Sequence, residues 1–298
     1  MNHRHFSSGD NLPYLQANTP LDDYVIERPL SCGGFSLVYL ARRTADQQQV
    51  AIKEYFPRKL ATRSDELIIT PNDAEAARAF TRGRQHFLEE AKVLAKLKHP
   101  NILDVQSFFQ CNGTAYLVMS FCYGRNLADY LTEKQGRLSG VFLLNLFRSL
   151  LDGVYAIHKA GLLHLDIKPQ NILIRPGGSP LLLDFGAVQP YPNTRTWSPG
   201  KVLTKGFSPI EQYSSRHGNI GPWSDIYALG ATMRSCLDSK APPASTQRLE
   251  SDSLPPAATA YHPPYPLPLL QAIDWAMAVV LDQRPQTIEE LRYLLDTP

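Results

Sequence analysis

The hydrophobic period of this chain changes once, near Gly124, and the change predicts two differently built parts. Before it, Tyr24-Val25-Ile26, Leu37-Val38-Tyr39-Leu40 and Val50-Ala51-Ile52-Lys53 read as strands. Gly33-Gly34 and the polar stretch 44–49 separate them, which predicts an antiparallel meander. Phe87, Val93, Leu94 and Leu97 then recur at helical spacing until His99-Pro100, where proline disfavours more helix. Two further strands, 102–109 and 115–121, flank a Cys111-Asn112-Gly113 turn. After Gly124, Leu143, Leu146, Phe147, Leu150, Val154 and Ile157 keep the rhythm of a core helix. Residues 226–237, 269–281 and 288–295 read as more helix, whereas 241–268 is proline-rich and reads as a connecting loop. The expected organisation is α+β. Residues 1–21 read as a flexible or loosely docked extension, 22–122 as a small sheet unit with one helix, and 123–296 as a larger, mainly helical unit.

With 298 residues, 43% of them hydrophobic, the chain can bury a sizeable core. Thirty Lys and Arg against 28 Asp and Glu leave a net charge of +2, too small a field to favour nucleic acid or an anionic membrane as partner. Cys32, Cys111, Cys122 and Cys236 lie far apart, without the spacing of a zinc site or a disulfide framework, and fit a reducing compartment. Residues 1–10 lack the apolar stretch of a secretory signal, and Asn145, Arg148 and Asp184 interrupt the most apolar runs. A soluble, cytoplasmic chain is expected.

The chemistry is concentrated in His164-Leu165-Asp166-Ile167-Lys168-Pro169-Gln170-Asn171, followed by Leu182-Leu183-Asp184-Phe185-Gly186. Asp166 offers a carboxylate that can accept a hydroxyl proton, and Lys168 a cation for a moving phosphoryl group. Asn171 and Asp184 offer oxygen ligands to magnesium. His164 reads as a packed structural histidine, since Asp166 already fills the role of base. Upstream, Leu30-Ser31-Cys32-Gly33-Gly34-Phe35-Ser36-Leu37-Val38 lies between two strands, where small residues let backbone amides approach phosphate. Alone it is equally a glycine hairpin. Lys53 on the third strand needs a carboxylate to fix it; Glu89 and Glu90 lie on the following helix, and Glu90 stands four residues before Leu94, which points into the core. By itself such a pair is a surface ion pair worth little.

As an ordered set these motifs resemble the eukaryotic-like serine/threonine protein kinases, over roughly Asp22 to Leu295. The resemblance implies a two-lobed fold with ATP in the cleft, near a hinge at Met119, Ser120, Phe121 and Cys122. Lys53 would contact the α/β-phosphates and pair with Glu90. Asp166 would be the catalytic base, Lys168 would support the γ-phosphate, and Asn171 and Asp184 would hold Mg²⁺ or Mn²⁺. Val38, Ala51 and Leu173 would sandwich the adenine with Met119 as gatekeeper, and Asn126 is placed among the nucleotide contacts with the loop Leu30 to Ser36. Gly206-Phe207-Ser208-Pro209-Ile210-Glu211 is similar to the end of an activation segment, Glu211 pairing with Arg284 and Asp225 anchoring the catalytic loop. Thr204 matches the threonine that in relatives bonds the catalytic Asp and Lys.

Lys168, two residues after Asp166, fits the serine/threonine pattern. Ile52-Lys53-Glu54-Tyr55-Phe56-Pro57, Glu211-Gln212-Tyr213 and the insert 58–85 resemble bacterial kinases, most of all those associated with type VI secretion. The implied partners are proteins with Ser or Thr acceptors, this chain included as its own substrate. Asn126 and Gln170, neutral amides, predict no strong demand for arginine in the substrate. Leu165 stands where switchable kinases carry a phosphate-binding arginine, so Thr194, Thr196 and Ser198 are expected to be weak switches even with Arg195 and Lys201 nearby. Ser31, Ser36 and Leu165 motivate the alternative of a pseudokinase scaffold.

Overall fold

In a computed structural model of the chain, residues 14–135, 138–192, 203–213 and 220–296 are described. Two units separate by their contacts, Met1–Lys98 with Leu103–Tyr123 and His99–Ile102 with Gly124–Pro298.

Alternating side chains build the first unit. Its sheet comprises β1 (Pro20–Leu21), β2 (Tyr24–Cys32), β3 (Ser36–Arg43) and β4 (Gln49–Tyr55). A small hairpin, β5 (Ala61–Arg63) and β6 (Ile69–Pro71), and α1 (Ala74–Leu94) precede β7 (Val105–Cys111) and β8 (Thr114–Ser120). The main sheet is antiparallel in the order β1-β2-β3-β4-β8-β7, with Ile26, Leu37, Tyr39, Ile52 and Val118 fully buried. Asn112 and Gly113, at φ +50° and +74°, close the β7–β8 hairpin. A Cβ on Gly113 would come within 2.6 Å of the Ile69 carbonyl, so the close approach also demands glycine.

Two readings left open by the sequence are filled in. Residues 14–21 are docked: Leu15 and Leu21 are buried, and β1 adds an edge to the sheet. Their polar composition hid two apolar anchors. The insert 58–85 is the β5–β6 hairpin followed by the first half of α1. Asp73 caps that helix by accepting from the Ala76 amide at 2.8 Å, and Ala76, Phe80, Phe87, Ala91 and Leu94 form its buried face. The helix stops at Leu94, six residues before Pro100.

The second unit opens with β9 (Arg125–Asn126), α2 (Leu127–Glu133) and α3 (Gly140–Lys159). Short strands β10 (Leu162–Leu163), β11 (Ile172–Ile174), β12 (Pro180–Leu182) and β13 (Gln189–Pro190) form a β12-β11-β9 sheet and a β10-β13 pair. Then come α4 (Ile210–Tyr213), α5 (Pro222–Asp238), α6 (Ser245–Glu250), α7 (Ala257–Ala260), α8 (Leu267–Ala276) and α9 (Ile288–Asp296). From Ser224 to Leu237 every residue of α5 is buried, so it is the central helix. By length and composition α3 alone, among the described residues, could cross a membrane. Its buried stripe, Leu143 to Ile157, packs within the unit, and Arg148 at its exposed side meets Asp296 of α9.

The proline-rich span is more ordered than expected of a loop. Buried Arg248 on α6 donates to the Met277 carbonyl at 2.7 Å and pairs with Asp252, while the Ala257 and Ala258 amides opening α7 donate to Asp274. Prolines next to short helices obscured both, because Pro breaks a period yet is well tolerated at a helix start.

Candidate active site

In the first unit, strand register gathers the expected nucleotide contacts. Val38 pairs with Lys53, Lys53 with Leu117 and Ala51 with Met119, so Val38, Ala51, Lys53 and Met119 share one face of the sheet. Lys53 is buried to 8% exposure. The β2–β3 connection is a true hairpin: Cys32 pairs with Leu37, and the Gly33 amide donates to the Ser36 carbonyl at 2.8 Å. Leu30, Cys32 and Ser36 are half-buried, whereas Ser31, Gly33, Gly34 and Phe35 are exposed. A Cβ at Gly34 would meet nothing within 4 Å, so crowding within the chain does not explain that glycine. Ser120 ends β8 and, like Phe121 and Cys122 beyond it, is half-buried.

Glu90 lies on α1 one turn past Phe87. Tyr55, on the same face of β4 as Lys53, packs against Phe80 and Phe87 at ring distances of 5.3 and 5.8 Å and so registers that helix on the strand. Gly83 makes the approach feasible, since a Cβ there would stand 2.1 Å from the Tyr55 hydroxyl. Burial pushes that hydroxyl up to about 12.

In the second unit three sequence-predicted residues converge on the carboxylate of a fourth, Asp166. Lys168 Nζ donates to Asp166 Oδ1 at 2.9 Å and lies 2.8 Å from Oδ2. The Thr204 hydroxyl donates to Oδ1 at 2.9 Å and accepts from Lys168 Nζ at 3.1 Å. Asn171 Nδ2 donates to Asp166 Oδ2 and to its backbone carbonyl, each at 2.8 Å. Both hydrogens of that amide are thereby engaged, which leaves its oxygen to serve as a ligand. The Leu183 amide donates to the Asn171 carbonyl at 2.7 Å, which ties the residue preceding Asp184 to Asn171. Asp184 is exposed at φ +56°, accepts from the Gly186 amide at 3.3 Å, and is followed by buried Phe185, whose ring lies tilted against His164 at 5.3 Å. An amide oxygen and a carboxylate are hard donors suited to Mg²⁺ or Mn²⁺. Leu173 is buried on β11.

Asp225 holds the loop that carries Asp166. Its Oδ2 accepts from the His164 amide and meets His158 Nε2, both at 2.8 Å, and its Oδ1 accepts from the Leu165 amide at 2.7 Å. Burial raises the Asp225 carboxyl, but the bond and charge of His158, with His164, outweigh it and hold the group below the usual carboxylate range. Burial pushes the His164 imidazole down against the pull of Asp225, Asp166 and Asp184. Glu211 and Arg284 form a buried bidentate pair at 2.8 and 3.3 Å, with Ser224 donating to the same carboxylate and the guanidinium lying over Tyr227.

Some placements add to expectation. Asn126 caps α2, its Oδ1 accepting from the Asp129 amide at 2.8 Å, so its side chain has a structural task. Gln212, singled out only as part of a motif, donates to the Leu165 carbonyl at 2.9 Å. Leu165 sits at φ +61°, buried with Leu163 and Ala187, and Tyr191 and Ile220 pack on the group. Thr194, Arg195, Thr196, Ser198 and Lys201 lie outside the described residues.

Comparison with known proteins places this geometry. The protein kinase domain family matches residues 24–255. The serine/threonine-protein kinase PknL of Mycobacterium tuberculosis is 30% identical over 74% of this chain and 50% of its own length. PrkC of Bacillus subtilis is 28% identical over 90% of this chain and 39% of its own, so the chain spans half or less of these curated relatives. Mouse Nek3 is 28% identical over 72% of this chain and 37% of its own length. The solved structure of PpkA-294 in its apo form superposes with a TM-score of 0.84 at 34% identity, covering 96% of this chain and all of that one. With a sheet unit and a larger helical unit of the kinase fold, and a match over most of its length, this chain belongs to the protein kinase domain family.

Proposed function

We propose that the chain transfers the γ-phosphoryl group of ATP to Ser and Thr hydroxyls of protein substrates, itself among them. The observation that carries the reading is the junction at Asp166, where Lys168, Thr204 and Asn171 meet one carboxylate. Asp166 accepts the proton of the acceptor hydroxyl, and Lys168, held by Thr204, stands ready to neutralise charge on the moving phosphoryl group. Lys53, oriented with Glu90, meets the α/β-phosphates. Asn171 and Asp184 would hold Mg²⁺ or Mn²⁺, which neutralises phosphate charge when bound. Val38, Ala51, Met119 and Leu173 supply apolar contacts for the adenine. Every polar catalytic position is filled, which speaks for an active enzyme over a scaffold.

A cytoplasmic site of action follows from ATP as phosphoryl donor. The tie to type VI secretion is the narrower part of the proposal and rests on the resemblance of the β4 and Glu211-Gln212-Tyr213 motifs. The test is transfer from γ-labelled ATP to a protein substrate with Mg²⁺ or Mn²⁺. We expect turnover in the native chain and a loss of about 10²-fold or more in Asp166→Ala and Asp184→Ala. Transfer that survives both substitutions would remove the assignment.

A further inference from the structure

Next to Lys53, and on the opposite face of β4, is a charged cluster that the phosphoryl-transfer reading leaves unused. Successive side chains of a strand point to opposite faces, so Glu54 faces away from the side that carries Val38, Lys53 and Met119. Its side chain is nonetheless fully buried. Tyr39 donates to Glu54 Oε2 at 2.8 Å, Tyr116 donates to Oε1 at 2.7 Å, and Arg63 Nη2 reaches Oε2 at 2.5 Å. Arg63 comes from the β5–β6 hairpin. The N-terminal segment also joins, because the Leu15 amide donates to the Tyr39 hydroxyl at 3.3 Å and Tyr14 packs edge-on against that ring. The segment read as flexible or loosely docked and the insert of unassigned role thus close over one carboxylate.

The same hairpin reaches the phosphate-facing loop. Arg63 lies over the Phe56 ring at 5.3 Å, and the Phe56 amide donates to the carbonyl of Phe35, at the tip of the β2–β3 connection, at 2.8 Å. Thr114 Oγ1 donates to the Tyr55 carbonyl at 2.5 Å. The backbone is therefore fixed immediately after Lys53, and the loop tip hangs from the same anchor. A buried ion pair is an inefficient source of stability, since apolar residues of equal volume serve as well, but it does select one arrangement of the groups it joins.

We propose that Glu54 is a positioning residue: with Arg63, Tyr39 and Tyr116 it uses the hairpin and the N-terminal segment to hold Lys53 and the Phe35 loop tip in place for the nucleotide phosphates. The inference rests on the reading of Lys53 as a phosphate contact. It separates from general stiffening of the unit, because a fault confined to the phosphate side spares ligands that have no phosphate.

The test compares the affinities of ATP with Mg²⁺ and of adenosine by titration calorimetry, well below the melting temperature of each variant. Glu54→Gln is expected to weaken ATP about tenfold and leave adenosine unchanged. Equal weakening of both ligands, or undiminished ATP affinity, overturns the proposal. If Glu54→Gln does not fold, Tyr116→Phe removes one of the three donors, and a loss of about threefold for ATP alone is expected, judged by the same criterion. Lys53→Met is the control. If Lys53→Met binds ATP normally, the phosphate reading itself fails. If it binds weakly while Glu54→Gln binds normally, only the positioning role fails.

Discussion

At the scale of single residues, Thr204 is the most exposed to test, because its hydroxyl both donates to Asp166 and accepts from Lys168. Removing it leaves the two charges in contact but unregistered. Thr204→Ala should lower kcat on a protein substrate on the order of 10²-fold, as for a displaced catalytic group, while Thr204→Ser retains most of the rate. Initial rates of the two variants check this, and a healthy Thr204→Ala would count against it. Glu211 is the contrasting case, since it acts on the fold. Its carboxylate meets Arg284 and Ser224 in the interior, so Glu211→Gln leaves an uncompensated guanidinium at a cost of about 3–5 kcal/mol. Equilibrium denaturation of the purified variant measures that loss.

At the scale of elements, the segment after Asp184 is anchored by apolar contact where a switchable enzyme would use charge. Leu165 is buried with Leu163 and Ala187, with Tyr191 and Ile220 against them, and it takes up a left-handed backbone that disfavours leucine. Nothing in that group carries a positive charge to pair with a phosphate. Thr194→Ala, Thr196→Ala and Ser198→Ala combined should therefore leave most activity, measured on an external protein substrate, and an inactive triple variant would reverse the argument. Much of this was legible in sequence, since Leu165, Asp225, Glu211, Arg284 and Thr204 were each assigned a partner or a deficit that depends on residue type. What escaped did so for physical reasons. The hairpin 61–71 is too short to show a period, and α1 begins behind an Asp73 cap with widely spaced apolar residues. The helices α6 and α7 depend on a buried Arg248 and an Asp274 cap, long-range partners that no local pattern displays. Asn126, read as a ligand contact, also caps a helix, because the same amide chemistry serves both tasks.

At the scale of the whole molecule, the buried ionisable groups set both edges of its stability against pH. His164 is held down by burial, so the unfolded chain binds the extra proton first and stability falls as pH drops below about 6.5. Asp225 is also held below its ordinary value, and its contribution, intact above about 3.8, disappears as pH falls through its folded value. Both slopes run the same way, and both come from the second unit. The alkaline edge comes from both units, since burial also lifts the Cys236 thiol and the Tyr227 and Tyr261 phenols of the second. Burial, reinforced by the Glu54 charge, drives Tyr39 and Tyr116 far up, and burial lifts Tyr55 to about 12. These phenols stay protonated in the fold while the unfolded chain releases its protons from about pH 10, so stability falls above that point. The expected profile of melting temperature is a plateau between roughly pH 7 and 8.5 with a two-stage decline in acid. Calorimetry across that range should show His164→Gln losing the slope between about pH 7 and 5 while keeping the steeper fall near pH 4. Tyr116→Phe should flatten the alkaline limb alone. Identical acid slopes in native and His164→Gln protein would mean that the imidazole is not what the interior holds neutral.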